Sequence, residues 1–263
     1  NIYYAHRSPN NIKYGSIYEM NNQNTLMPKC EVSKEDDLVF RDWRLNKGIK
    51  EKYVCVFSRN GSYYNETDKN PRNSSFLDLI PTIKMLKSKG FDIVRVGRNH
   101  KDIFNKNVKD LYFDYDSFGE KNKLIDVLLI KNCYFFLTSN SGINALAFLF
   151  QKRILYYNMF PFGMRPFFKN CSYILKKYKK DNKVLNYSEI PQSMILQEDQ
   201  LIIEKMNYHI VNNSPNEIKE FVANQIKSNF KDVISPPKNN YVYGNYSKLD
   251  KQWFKKNYKL FDK

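Results

Sequence analysis

Four small polar residues and a glycine, Thr138-Ser139-Asn140-Ser141-Gly142, stand between the apolar run YFFL and a second apolar run that starts at Ile143. A strand that enters a helix through such residues leaves backbone N–H groups at the helix start, where the helix dipole favours an anion. Hydroxyls of Ser139 and Ser141 add donors, and Gly142 lets a ligand approach the backbone closely. The same residues also suit plain capping, with Ser139 or Ser141 closing a helix that begins near Ile143. Two more strand-like runs end in basic residues: YVCVF is followed by Ser58-Arg59-Asn60, and FDIVRVG contains Arg95 and ends in Gly97, with Arg98 next. Arginine offers a planar, permanently charged fork to phosphate oxygens, so a phosphate or diphosphate is the ligand that fits these strand ends. Asp114 and Asp116 form an acidic pair one residue apart, a spacing able to hold a divalent ion against a diphosphate but common by chance. The expectation is a site that works without a metal.

Several other chemistries lack their signatures. There is no Gly-x-Gly-x-x-Gly and no Gly-x-x-x-x-Gly-Lys-Ser/Thr, which argues against a dinucleotide oxidoreductase or a P-loop enzyme. No Gly-x-Ser-x-Gly elbow is present, and Ser139 has no persuasive His/Asp pairing. Cys30, Cys55, Cys133 and Cys171 show no paired spacing and read as buried reduced thiols. His6, His100 and His209 fit no zinc spacing. The 43 basic and 27 acidic residues leave a net charge of +16, but the lysines are spread among Asn, Tyr and Ile throughout the chain. Without a helix-turn-helix, zinc or RNP signature, nucleic acid is not expected as a partner. No run approaches the ~18 apolar residues needed to cross a bilayer.

These residues need a scaffold, and the hydrophobic pattern supplies one. Residues 1–32 read as an irregular Asn-rich lead-in or the remnant of an N-terminal acceptor domain. Ser33 is a possible N-cap before Leu38, Val39, Trp43 and Leu45, with Gly48 as the stop. YVCVF, FDIVRVG, LYFDYD (111–116), YFFL, RILYYN and YHIVNN read as strands. Between them lie helices with Phe76, Leu79, Ile80, Ile83 and Leu86 on one face, then Leu124, Val127, Leu128 and Ile130, then GINALAFLF. Pro81 is expected to kink or break the first of these. EDQLIIEKMN reads as a further helix, and Ser214, Pro215 and Glu217 open a well-capped one. Such alternation predicts an α/β domain over residues 33–234: a Rossmann-like parallel sheet with helices on both faces. Residues 235–263 read as a turn-rich linker and a basic amphipathic tail carrying Leu249, Trp253, Phe254 and Leu260, suited to a neighbouring domain or to a membrane surface.

Taken in order, YVCVFSRNGSYY, PRNSSFLDLIPTIKMLKSKGFDIVRVG, the stretch from FDYDSFGEKNKLIDVLL to RILYYNMFPFG, YILKKY and NNSPNEIKEFV resemble a family of bacterial glycosyltransferase-like proteins with a GT-B type nucleotide-sugar domain. That family is distantly similar to the fucosyltransferase superfamily, and the likeness covers roughly residues 33–226. The resemblance implies that Arg59 meets the donor diphosphate and that Arg72 and Asn73 stand at the entrance of the next helix. It implies also that Arg95 and Gly97 form the next strand end, and that Ser139, Asn140, Ser141 and Gly142 receive phosphate or ribose. Asn158 and Pro161 match an N-x-x-P after the following strand; Lys176 and Glu189 match later polar positions without an assigned role. Members of the family commonly carry an acid where this chain has Asn60, so the departure bears on any general base at that place. A GT-B enzyme has two Rossmann-like halves, and residues 1–32 are too short to form the other; the acceptor half was removed, or a partner supplies it, or the early residues form a reduced substitute.

The function expected is transfer of a sugar from a nucleotide-sugar donor to a surface-glycan or lipid-linked acceptor, the nucleotide-sugar being substrate and no separate cofactor being needed. Asp68, Asp114 and Asp116 are the candidate bases. The expected location is cytoplasmic, including the inner face of the membrane through the tail. The alternative is a non-catalytic anionic-ligand or glycan-binding module, a degenerate transferase half that works with a partner.

Overall fold

The computed structural model describes residues 31–61, 70–97, 106–119, 122–161, 170–186, 189–194 and 196–230. The lead-in up to residue 30, the tail from 231, Asp68, Arg98, His6, His100 and Cys30 lie outside these.

Six strands form one sheet: β1 (Tyr53–Phe57), β2 (Asp92–Arg95), β3 (Phe113–Asp114), β4 (Phe136–Thr138), β5 (Ile154–Met159) and β6 (Cys171–Leu175). Their order is β3-β2-β1-β4-β5-β6 and every neighbouring pair is parallel. This is the doubly wound Rossmann-like arrangement, in which the chain reverses direction across the sheet between β1 and β4. Side chains alternate between two apolar layers, as a strand period of two requires. Val54 and Val56 enter a layer with Leu79, Ile83, Leu86, Tyr157, Ile174 and Phe221, whereas Tyr53 and Cys55 enter one with Phe40, Leu128, Leu129 and Ala147. Cys55, Cys133 and Cys171 are buried free thiols.

Helix α1 (Lys34–Asn46) is capped by Ser33, whose side chain accepts from Asp36 N, and three acids fill its first turn. Its inward residues are Phe40 and Arg44, while Leu38, Val39 and Leu45 are exposed. The apolar spacing marked the helix but not its buried face. Trp43 packs instead on Tyr115 and Phe118, with ring centroids 6.0 and 5.9 Å away. A 3-10 turn (Phe76–Leu79) leads into α2 (Ile80–Ser88). The run expected as one helix is divided just before Pro81 into this 3-10 turn and α2, and Pro81 itself occupies the first turn of α2, where a missing N–H costs no helical bond. In α3 (Lys123–Asn132) the buried residues are Ile125, Leu128, Leu129 and Ile130, so the inward face is shifted from Leu124 and Val127.

The run 111–116 gives only the two-residue β3. A 3-10 helix (Lys106–Leu111) precedes it, and Asp114 ends it by accepting from Asp116 N and starting a second one (Tyr115–Phe118). Helix α4 (Asn144–Leu149) follows β4. Beyond β6, β7 (Lys177–Lys180), β8 (Lys183–Val184) and β9 (Tyr208–Val211) make a small antiparallel sheet in the order β8-β7-β9. Helix α5 (Gln200–Lys205) is capped by Asp199. Helix α6 (Pro215–Lys227) carries a complete capping box between Ser214 and Glu217 and buries Ile218, Phe221 and Val222.

Phe221 is fully buried, so Phe221→Ala is expected to lower stability by about 3–5 kcal/mol. Leu201→Ala, at a residue 67% exposed, is expected to change it by less than about 0.5 kcal/mol. Urea midpoints of the two variants compared with the parent check both values.

Candidate functional site

Where the chain reverses across a parallel sheet, the connections after the two central strands leave toward opposite faces and a crevice opens beyond their carboxyl ends. Here those strands are β1 and β4, paired from Cys55↔Phe136 to Phe57↔Thr138. The residues that follow are Ser58-Arg59-Asn60 and Ser139-Asn140-Ser141-Gly142. They are joined directly: the main-chain N–H of Arg59 donates to Ser139 Oγ at 2.8 Å. Ser139 is 0% exposed and Arg59 8% exposed.

The serine turn is braced from within. Thr138 Oγ1 donates to Asn144 Oδ1 at 2.8 Å, Asn144 Nδ2 donates to Ser139 O at 3.1 Å, and Asn140 Nδ2 donates to Phe160 O at 3.1 Å. Neither Ser139 nor Ser141 caps α4; its first residue is preceded by Ile143, with no side-chain cap bond. The amides of Asn144, Ala145 and Leu146 bond to the carbonyls of Ser141, Gly142 and Ile143 at 3.1–3.2 Å. Helix α4 has only six residues. Ser139 Oγ accepts from Arg59, and the serine turn is held in place by side-chain bonds within the fold. A Cβ at Gly142 would meet no atom within 4 Å, so the described chain does not itself require a glycine there.

Beneath the β1 end lies a layer of buried polar groups. Tyr157, on β5, donates its hydroxyl to Phe57 O at 3.2 Å. Burial pushes this hydroxyl upward in pKa, the Ser58 and Ser139 hydroxyls draw it down, and the Asp78 charge adds to the rise. Ser58 Oγ donates to Ser74 O at 2.7 Å, and Ser74 N donates to Arg59 O at 2.8 Å. These bonds carry the turn holding Arg72 and Asn73 to the edge of β1. Arg72 pairs with Glu198 at 3.2 Å. Lys176, just past β6, is 3% exposed and donates from Nζ to Pro71 O and Asn73 O. Thus Arg59, Arg72, Asn73, Ser139 and Asn140 share one connected edge.

Five further expected site residues, Arg95, Gly97, Asp114, Asp116 and Asn158, lie on β2, β3 or β5 or within two residues after them. Arg95, the last residue of β2, is 2% exposed and ion-paired with Asp114 on β3; its Nε and Nη1 have no hydrogen-bond partner among the described residues. The Asp114 carboxylate also accepts from Asp116 N at 3.1 Å, so it is engaged twice. Gly97 follows with φ 98°, a conformation that glycine adopts without strain. Asn158, with φ 50°, is locked to Asn213: its N–H donates to Asn213 Oδ1 at 2.9 Å and its Oδ1 accepts from Asn213 N at 2.5 Å. That exchange ties β5 to the segment before α6 and uses the carboxamide oxygen in the fold. Glu189 is part of the small sheet's edge, bonded to Lys183 Nζ at 2.6 Å and Asn186 N at 2.7 Å. Among the described residues there is no cluster of three or more His, Cys, Asp or Glu able to hold a metal ion, and no helix long and apolar enough to cross a membrane.

Tyr157, Asp78 and Glu198 were not among the residues singled out from sequence. Tyr157 lies inside an apolar run, and Glu198 reaches Arg72 across 126 residues of chain. Lys176 did leave a signal, a lysine at the carboxyl end of the apolar strand CSYIL.

No family model matches the sequence, and no curated protein matches it. Among solved structures, the chain is similar in fold to a glycosyl transferase family 9 protein of Veillonella parvula DSM 2008 (TM-score 0.50, 13% identity, 75% of this chain and 53% of that one). It also matches the E. coli ADP-heptose LPS heptosyltransferase II (TM-score 0.46, 13% identity, 77% of this chain and 54% of that one). A third match is the UDP-GlcNAc 2-epimerase of Methanocaldococcus jannaschii, in complex with UDP-GlcNAc and UDP (TM-score 0.33, 13% identity, 74% of this chain and 49% of that one). The chain spans about half the length of each, and none of the three is a fucosyltransferase. At this identity the likeness describes the fold.

Removing the acceptor beneath Arg59 tests the brace. Ser139→Ala leaves a buried N–H without its hydroxyl partner and is expected to cost about 1–3 kcal/mol in chemical denaturation. An unchanged midpoint would show that the bond does not hold the edge together.

Proposed function

We propose that the chain is the donor-binding half of a glycosyltransferase, holding the diphosphate of a nucleotide-sugar at the β1–β4 switch point. The observation that carries this reading is Arg59, fixed by its own amide to Ser139 at the place where a doubly wound sheet takes its ligands. Arg72 on the adjoining turn adds a second guanidinium. The fold likeness to a glycosyl transferase family 9 protein is the reason to choose a nucleotide-sugar over other diphosphates.

In the reaction, the acceptor hydroxyl oxygen forms the new bond to the anomeric carbon while the bond from that carbon to the diphosphate oxygen breaks. The electron pair leaves with the diphosphate, and the acceptor proton passes to a base. Guanidinium groups already in place stabilise the departing charge without reorganising, the kind of term that dominates such catalysis. Arg95 belongs to the same proposal as a buried positive charge on the adjacent strand β2.

Three carboxylates, Asp68, Asp114 and Asp116, are the candidates for the base. Asp114 is held by Arg95, Asp116 lies beyond it, and Asp68 is outside the described residues. The engagement of Asp114 favours, as a second reading, a binding module that takes the same diphosphate without turning it over. Hydrolysis of a nucleotide-sugar by the chain separates the two, since only the transferase reading predicts it.

A thermal-shift panel of nucleoside diphosphates and nucleotide-sugars identifies the donor class, because a ligand at ~100 times its Kd adds about 2.7 kcal/mol to stability. For the best member, Arg59→Ala is expected to weaken calorimetric affinity by at least about tenfold, the loss of one charge-assisted contact to phosphate. Unchanged affinity in a folded variant would overturn the assignment.

A further inference from the structure

The lysine at the end of β6 occupies a costly position. Lys176 is 3% exposed, and its Nζ lies 2.7 Å from Pro71 O and 2.6 Å from Asn73 O. These carbonyls flank Arg72. The far end of the same turn is bonded to β1 through Ser58, Arg59 and Ser74. Strands β4 and β5 separate β1 from β6 in the sheet, a span of roughly 14 Å at ~4.8 Å per strand. One side chain therefore links the outer strand to the turn that borders the switch point.

We propose that Lys176 is a positioning residue whose amine latches the Pro71–Asn73 turn across the carboxyl edge of the sheet, and that proton uptake at Nζ loosens the latch. An amine has two N–H groups, enough for the two carbonyls; an ammonium adds a full charge that a buried position solvates poorly. Burial pushes Lys176 down from its ordinary 10.5 to about 7, with the Asp78 carboxylate pulling the other way. Asp78 is itself raised by burial and drawn down by Lys176. The remaining charged groups on the elements joined here are Arg59, the Arg72–Glu198 pair and the Lys177–Glu217 pair.

The sign follows from linkage. When the turn opens, Lys176 returns to water and its pKa rises toward 10.5, so the open form binds more protons between about pH 7 and 10.5. The closed turn is disfavoured in full below about pH 7 and gains stability as pH rises above it. Only the functional meaning of the latch, control over how Arg72 and Asn73 meet a ligand, rests on the proposed donor site.

The test is hydrogen exchange of the peptide over residues 70–79 in the full chain, with rates divided by the intrinsic chemical rate at each pH and β1 and α6 peptides reporting global unfolding. The amides of Arg72, Asn73 and Ser74 are its reporters, since they bond to Asn70 Oδ1, Asn70 O and Arg59 O. In the parent chain, protection of the turn is expected to increase by about tenfold or more from pH 6.5 to 8.5. In Lys176→Met that step is expected to vanish. Flat or falling protection in the parent chain overturns the proposal without any variant, and so does an undiminished step in Lys176→Met. A UDP and ADP titration of the same samples separates the two readings. A protection step without nucleotide binding leaves the latch standing and removes the donor site; binding without a step does the reverse.

Discussion

The central constraint is that β1 is paired in parallel on both sides while the chain leaves β1 and β4 toward opposite faces of the sheet. After β1 it goes to the layer with Leu79, Ile83 and Leu86; after β4 it goes to the layer with Ala147. Their carboxyl ends must therefore part, and backbone groups there lose the ladder partners they have inside the sheet. The Arg59 amide bonded to Ser139 Oγ bridges that parting. Because the bridge uses a side-chain hydroxyl of a buried residue, the Arg59 backbone is fixed by a neighbouring strand end.

A polar layer lies where an apolar one is the rule. Tyr157, Ser58, Lys176 and Asp78 sit between the carboxyl edge and the core formed by Val56, Leu79 and Phe221. Buried hydroxyls and amines are tolerated only when bonded, and Tyr157, Ser58 and Lys176 each donate to a main-chain carbonyl of the β1 end or the 70–74 turn. Departures from simple packing rules concentrate where a protein acts on something else. Arg95 and Asp114, on the two strands β2 and β3 beyond β1, make a second departure, and their mutual pairing keeps it locally neutral.

Much of the scaffold was legible in the sequence. Short β-branched and aromatic runs located β1, β2, β4 and β5, and the Ser214-Pro215-Glu217 pattern located α6 with its capping box. What periodicity misread were faces and short elements. Leu38, Val39 and Leu45 helped to mark the helix yet are exposed, because α1 faces inward through Phe40 and Arg44 and packs Trp43 on Tyr115 and Phe118. LYFDYD looked like a full strand, but the Asp114 side chain bonds its own backbone two residues on and stops it at β3. At the site, residue types at strand ends were visible, whereas their partners were not. That Ser139 serves Arg59, that Asn158 is spent on Asn213, and that Lys176 reaches Pro71 all depend on contacts between residues 55 to 105 positions apart.

The most direct measurement is NMR of the chain carrying 15N in its arginine side chains and backbone, titrated with UDP and with ADP. The account predicts saturable shifts of the Arg59 and Arg72 Nε–H signals together with the amides of Ser139 to Gly142, while Arg153, stacked on Phe230, stays unmoved. Shifts confined to other residues, with Arg59 and the serine turn unchanged at saturation, would contradict it.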